Sequence, residues 1–191
     1  MTQRAFLSIV TLALACGPHA SAGAQGSVAA ERLVILVRHA EKDTAPRNDP
    51  PLTAAGESRA AALGNVVAGA GIDAVVVTPF RRTRDTAAPV AQARGLIPIE
   101  VPVGRDLAAH VAAVADSVRA RPPGASVLVV GHSNTIPAIV TALGGPALPD
   151  LCDNQYAVLY VLSIPAEGPA RLVTASYGVA DPPASGCPTM R

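Results

Sequence analysis

Tryptophan is absent from the 191 residues, and the chain holds only two phenylalanines and three tyrosines. Few rings are therefore on offer for stacking against bases. Charge of one sign is equally scarce: 15 Lys and Arg stand against 14 Asp and Glu, a net charge of +1. Proteins that neutralise nucleic-acid phosphates carry a basic surplus, so nucleic acid is not an expected partner. The one extended apolar run, Ala5 to Ala15, is shorter than the ~20 residues of a membrane-spanning helix, and no membrane span is expected. Arg4 before that run and the small residues Ala20-Ser21-Ala22 and Ala22-Gly23-Ala24 after it form the pattern of a secretory signal peptide. Cleavage is expected after Ala24, with Ala22 as the alternative, which gives residues 1–24 as signal and 25–191 as one domain, secreted and periplasmic. Cys16 raises a lipoprotein reading, but Ala13 and Leu14 before it fit a lipobox poorly. Cleavage also removes Arg4, leaving 14 of the 15 basic residues against the 14 acidic ones.

Cysteine is rare too. Of three, Cys16 leaves with the signal peptide, and Cys152 and Cys187 remain as an even pair in an oxidising compartment. Cys187 sits in the Pro/Gly-rich stretch 181–188, which lacks an apolar pattern to hold itself down. A Cys152–Cys187 disulfide is expected to pin that tail.

What the chain does have is alternation of strand and helix patterns. The β-branched and leucine runs 33–37, 74–77 and 127–130 read as buried parallel strands. A weak strand is expected over 97–101, and 156–162 and 171–175 close the sheet. Thr53 is placed to N-cap a helix to about Val67; a second helix begins near Arg82. Residues 106–119 form an amphipathic helix with Leu107, Val111, Val114 and Val118 on one face. Pro137 falls in the first turn of the helix after 127–130, where its missing donor is tolerated. Each of the three buried strands runs into polar residues: Arg38-His39-Ala40-Glu41, then Thr78 to Thr86 with Arg81, Arg82 and Arg84, then Gly131-His132-Ser133-Asn134. Ligands bind beyond the carboxyl ends of strands in open α/β sheets, so two histidines and several arginines meet at one edge. That is the composition of a phosphate site, since guanidinium forks match phosphoryl oxygens bidentately.

Four of these segments resemble, in order, the motifs of the histidine phosphatase (phosphoglycerate mutase-like) superfamily. Arg38-His39-Ala40 is similar to its Arg-His-Gly signature, Leu52-Thr53-Ala54-Ala55-Gly56 to its Leu-Thr-x-x-Gly, Thr78-x-x-x-Arg82-x-x-x-Thr86 to its Ser-x-x-x-Arg-x-x-x-Thr, and Gly131-His132-Ser133-Asn134 to its second-histidine motif. The resemblance spans roughly residues 31 to 178. It implies a three-layer α/β/α sandwich with a mostly parallel central sheet. It further implies a metal-independent phosphatase that needs no cofactor and hydrolyses a phosphomonoester through a phosphohistidine on His39. Arg38 and Arg82 would cradle the phosphoryl group, His132 would stabilise its developing charge, and the amides of Ser133 and Asn134 would face it from a helix N-terminus. The substrate would be a small phosphoester or a phosphorylated protein; oligomeric state is not encoded in any motif.

Alternative readings rest on specific residues. A phosphohistidine or phosphoprotein phosphatase suits the compact size. A noncatalytic secreted phospho-ligand binder is kept open by Ala40 and Ser133, which replace family glycines. Gly131-His132-Ser133-Asn134-Thr135 departs from a nucleophile elbow at Thr135, and His39, Glu41 and His132 make a thin zinc set beside two cations. A glycolytic mutase is disfavoured by the signal peptide and by short segments where mutases carry insertions. Arg81 and Arg84 read as a solvated helix face, and His110 as a surface partner of Asp106. The proton donor is the open position. An alkyl leaving group needs an acid; Glu41, two residues past the nucleophile, is favoured, Asp106 is second, and no dedicated acid is the remaining option.

Overall fold

The computed structural model describes residues 30–182. The expected signal peptide, Cys16 and Cys187, and with Cys187 the expected disulfide, lie outside the described residues. Six strands and four α-helices alternate: β1 Arg32–Arg38, α1 Ala54–Val66, β2 Ala74–Val77, α2 Arg81–Arg94, β3 Ile99–Glu100, α3 Leu107–Arg119, β4 Ser126–Gly131, α4 Thr135–Ala142, β5 Val158–Ile164 and β6 Arg171–Ser176. They build one sheet in the order β3-β2-β4-β1-β5-β6. β1, β2, β3 and β4 pair in parallel, while β5 and β6 extend the β1 edge antiparallel.

Buried parallel strands must be apolar on both faces, and the alternation sorts the core into two. Val34, Leu36, Val76, Val127 and Val129 pack with Val111, Val114 and Val118 of α3 and Ile136, Ile139 and Val140 of α4. Their strand neighbours Ile35, Val37, Val75, Val77, Leu128 and Val130 pack with Leu63 of α1 and Ala87, Val90 and Ala91 of α2. The result is the three-layer α/β/α sandwich expected from the sequence.

Thr53 caps α1 as expected, its hydroxyl accepting from the Gly56 amide at 3.1 Å. The structure also explains why glycine follows. A Cβ at Gly56 would lie 2.2 Å from the Glu41 carbonyl oxygen, to which the Thr53 amide donates at 2.9 Å. The Leu-Thr-x-x-Gly segment is thus the seat on which α1 meets the chain leaving β1. Gly56→Ala forces backbone apart there, and urea denaturation should show a loss of about 1–3 kcal/mol, the usual cost of overpacking.

Several sequence expectations are corrected. The weak strand over 97–101 shrinks to Ile99–Glu100, with Ile97 92% exposed. β5 begins at Val158 rather than Tyr156, because the amides of Tyr156 and Ala157 donate to the Asp181 carboxylate instead of to a strand. Leu107 leaves the apolar face of α3 and is 41% exposed. His110 is buried rather than paired on the surface: its Nδ1–H donates to the Pro102 carbonyl at 2.9 Å, and it shares the buried face of α3 with Val111, Val114, Ala115 and Val118.

Candidate active site

Register brings the two histidines together. Arg38 at the end of β1 pairs with Gly131 at the end of β4, and the His39 amide donates to the Gly131 carbonyl at 2.9 Å. His39 and His132 are therefore the first residues past two adjacent parallel strands, and their ring centroids lie 5.4 Å apart in an edge arrangement. Glycine is required between them: a Cβ at Gly131 would meet the Thr135 hydroxyl at 2.8 Å and Ile136 Cδ1 at 2.9 Å. That close approach starts α4 directly beneath His132, whose amide donates to the Thr135 hydroxyl at 2.8 Å.

His39 is buried, and its Nδ1–H donates to the Ala40 carbonyl at 2.8 Å. This bond fixes the tautomer that leaves the Nε2 lone pair free. Burial lowers the His39 pKa to about 3 against the opposing effect of that hydrogen bond, with His132, Arg38 and Arg82 lowering it further. His132 is lowered to about 4, first by burial and then by Arg82; its Nε2 meets the Thr78 hydroxyl at 3.2 Å. Both imidazoles are thus uncharged at neutral pH, the form required of a nitrogen nucleophile.

These shifts carry a stability consequence. With folded values below the unfolded value of ~6.5, the unfolded chain takes up protons that the folded chain refuses, so stability falls as pH drops from about 6.5 toward 4. At pH 5 the loss is roughly 2 kcal/mol per histidine. Urea melts at pH 7.5 and pH 5 should show it, with His39→Asn and His132→Asn each flattening the dependence; pH-independent wild-type stability over this window would contradict the assignment.

The threonine motif is a scaffold. Thr86 accepts from the Ala40 amide at 2.9 Å and donates to the Arg82 carbonyl at 2.6 Å, tying the His39 turn to α2. Thr78 and Thr83 are paired at 2.8 Å beside His132. Arg82 extends over the Phe80 ring at 4.1 Å. Arg81 and Arg84 behave as a solvated helix face, Arg84 meeting the exposed Glu100 at 3.5 Å.

A cavity of about 410 Å³ opens at this edge, lined by His39, Arg82, His132, Ser133 and Asn134, with Lys42 and Arg105 among its other walls. The substitution Ala40 is fully buried and does not line it; Ser133 does. The α4 N-terminus faces the cavity through Ser133 and Asn134, a favourable setting for an anion.

Arg38 has partners that no motif announces, and Glu41 differs from expectation. Arg38 stacks on Tyr156 at 4.2 Å, and its Nη1 donates to the carbonyls of Cys152, Asp153 and Gln155 at 2.7, 3.0 and 3.2 Å. The charge of Arg38 stands behind His39, and its guanidinium also anchors the 152–156 turn. Its Nε, like that of Arg82, is buried without a partner among the described residues.

Glu41 does not reach the histidine cavity. Arg59 of α1 grips its carboxylate with both Nε and Nη2, at 2.7 to 3.0 Å. Burial alone would raise the Glu41 carboxyl, but the hydrogen bonds and charge of Arg59 outweigh it and hold the pKa below the usual range. Glu41 instead lines a separate cavity of about 620 Å³ with Arg59, Tyr156, Val179 and Asp181. Asp106 is occupied as well, N-capping α3 through the Ala109 amide at 3.1 Å. Sequence reading missed Arg59, Phe80 and Tyr156. Phe80 falls at an unspecified position inside Thr78-x-x-x-Arg82 and Tyr156 lies outside the four motifs, so neither carries a spacing signal, and Arg59 reads as an ordinary polar residue of a helix.

Fold and site together define a histidine–arginine anion site at the carboxyl edge of an α/β/α sandwich. The sequence model of the histidine phosphatase superfamily (branch 1) matches residues 34–104, which takes in Arg38, His39 and Arg82 and stops short of His132. A putative phosphohistidine phosphatase SixA from Nakamurella multipartitia is similar over 79% of this chain and 99% of its own, at 29% identity and a TM-score of 0.55. Two further structures share the fold. The protein histidine phosphatase SixA complexed with tungstate is 22% identical, with 75% of this chain and 96% of that one covered and a TM-score of 0.59. A mycobacterial glucosyl-3-phosphoglycerate phosphatase with inorganic phosphate is 19% identical, with 78% and 98% covered and a TM-score of 0.55. No curated protein matches the chain in sequence. Residues 34–104 are thus similar in sequence to the histidine phosphatase superfamily, and the described chain shares the fold of these phosphatases.

Proposed function

We propose that the protein is a secreted phosphatase that transfers a phosphoryl group to His39 Nε2 and then to water. The observation that carries this reading is the pair of uncharged imidazoles 5.4 Å apart, His39 buried and His132 half-buried, with Nδ1 of His39 held by the Ala40 carbonyl. Nε2 attacks phosphorus as the bond to the leaving oxygen or nitrogen breaks. A water molecule then attacks the phosphohistidine and the electron pair returns to Nε2. Charge building on the equatorial oxygens faces Arg82, His132 and the α4 amides. The unpartnered Nε–H groups of Arg38 and Arg82 are donors that a phosphoryl oxygen would satisfy. With the phosphoryl charge met by these groups, turnover should survive EDTA undiminished; loss on chelation and recovery with zinc or magnesium would contradict this. Export is supported by the signal-peptide pattern of residues 1–24 and is tested by N-terminal sequencing of the periplasmic protein.

The absence of a carboxylate from the walls of the histidine cavity, among the described residues, favours leaving groups that depart without a proton. Phosphohistidine is one, and the 29%-identical neighbour is named as a putative phosphohistidine phosphatase. Aryl phosphates are convenient surrogates. Activity should be higher by about 10²-fold or more on 4-nitrophenyl phosphate than on glycerol phosphate, the range a general acid contributes, and Glu41→Gln and Asp106→Asn should leave that ratio unaltered. A fall in alkyl-ester hydrolysis alone in either variant would identify a donor after all.

A further inference from the structure

We propose that the natural substrate is a phosphoanhydride, the terminal phosphoryl of a diphosphate-type group, with Lys42 and Arg105 binding the phosphate that leaves. This rests on the phosphatase reading and narrows its substrate class.

Two independent observations converge. The first is a surplus of positive charge. Arg82, with the uncharged rings of His39 and His132 and the α4 amides, would suffice for one phosphoryl group, yet the same 410 Å³ cavity has two more cations in its walls, Lys42 and Arg105. Neither side chain forms a hydrogen bond or ion pair among the described residues, in contrast to Arg59, Arg84 and Arg119, each of which meets a carboxylate. Both are exposed, but their backbones are fixed. Lys42 forms an antiparallel bridge with Leu52, and the Asp43 amide donates to the Pro51 carbonyl at 2.9 Å. Arg105 immediately precedes Asp106, the N-cap of α3.

The second observation concerns protons. Glu41 is held by Arg59, Asp106 by α3, and Asp49, whose charge acts on Arg82, accepts from the Arg81 amide at 2.8 Å. None of the three lines the cavity. An alkoxide would leave poorly here, whereas a phosphate departs as a stable anion and needs no acid. A leaving phosphate also brings the negative charge that two unpaired cations would otherwise lack.

The step balances without a further reactant. His39 Nε2 forms the N–P bond to the terminal phosphorus, the bridging P–O bond breaks, and its electron pair stays on the departing phosphate beside Lys42 and Arg105. Water then donates oxygen to the phosphohistidine, the N–P pair returns to Nε2, and the water's proton passes to the released inorganic phosphate or to bulk solvent.

The test compares kcat/KM in EDTA for inorganic pyrophosphate, 4-nitrophenyl phosphate and glycerol phosphate, in the full-length protein and in Lys42→Gln, Arg105→Gln and Arg105→Lys. Pyrophosphate should exceed glycerol phosphate by about 10²-fold or more, the general-acid range. Both glutamine variants should lose at least about tenfold more on pyrophosphate than on 4-nitrophenyl phosphate, equivalent to one removed charge contact of about 1.4 kcal/mol, and Arg105→Lys should recover most of the loss. Equal losses on pyrophosphate and the aryl ester, or pyrophosphate hydrolysis no faster than that of glycerol phosphate, would overturn the proposal while leaving the phosphatase reading intact. Failure to hydrolyse any of the three would remove both.

Discussion

His39→Ala eliminates turnover and the phosphoenzyme together, the largest effect expected of any single change in this protein. The reason is geometric. His39 is one residue past β1, its amide is bonded to Gly131, and its Nδ1–H is committed to the Ala40 carbonyl, so among the described residues no other side chain presents a free ring nitrogen at that point of the edge. His132 cannot substitute, because its Nε2 is engaged with Thr78 at 3.2 Å. Arg82→Ala should retain the phosphoenzyme but form it more slowly by about 10²-fold or more, the usual cost of removing one charge-stabilising donor. Rapid mixing with 4-nitrophenyl phosphate, quenching in base and peptide mass spectrometry reads both outcomes. A phosphoryl adduct on Ser133, or turnover by the His39→Ala protein, would overturn the assignment.

The second large effect is on stability. Arg59→Met should cost about 3–5 kcal/mol, the penalty for breaking a buried ion pair from one side. Arg59 is only 5% exposed. Besides gripping Glu41, its Nη1 donates to the carbonyls of Tyr177 and Val179, both at 3.0 Å, and its Nη2 lies 4.0 Å from Asp181. The substitution orphans a carboxylate and two carbonyls at once, and it loosens the segment that holds the Asp181 side chain to the amides of Tyr156 and Ala157. Adding Glu41→Gln to Arg59→Met should return part of the loss, since the stranded charge is gone; strictly additive losses in urea denaturation would show that the pair is not coupled.

Glu41 illustrates how far a linear reading reaches. Its position two residues after the nucleophile marks it as near the site, and it is near. What chain order leaves open is which way the carboxylate turns, and that is decided by Arg59, 18 residues later on α1, through contacts that no spacing announces. His110 fails in a similar way. One turn past Asp106 it reads as a surface partner, but α3 is rotated so that His110, Val111, Val114, Ala115 and Val118 face the sheet.

The sequence by itself determined the alternation of strand and helix, the two-faced burial of the β1, β2 and β4 runs, the capping of α1 by Thr53 and the three segments that meet at the carboxyl edge. These are legible because they depend on local period, propensity and backbone chemistry, which act between residues close in the chain. Only the tertiary structure decided that His39 and His132 sit 5.4 Å apart with their rings uncharged, that Arg38 stacks on Tyr156, and that no carboxylate shares their cavity among the described residues. Strand register, burial and the competition of distant donors for one carboxylate set these features. Each is a property of groups brought together from separate elements, so none has a signature within any one of them.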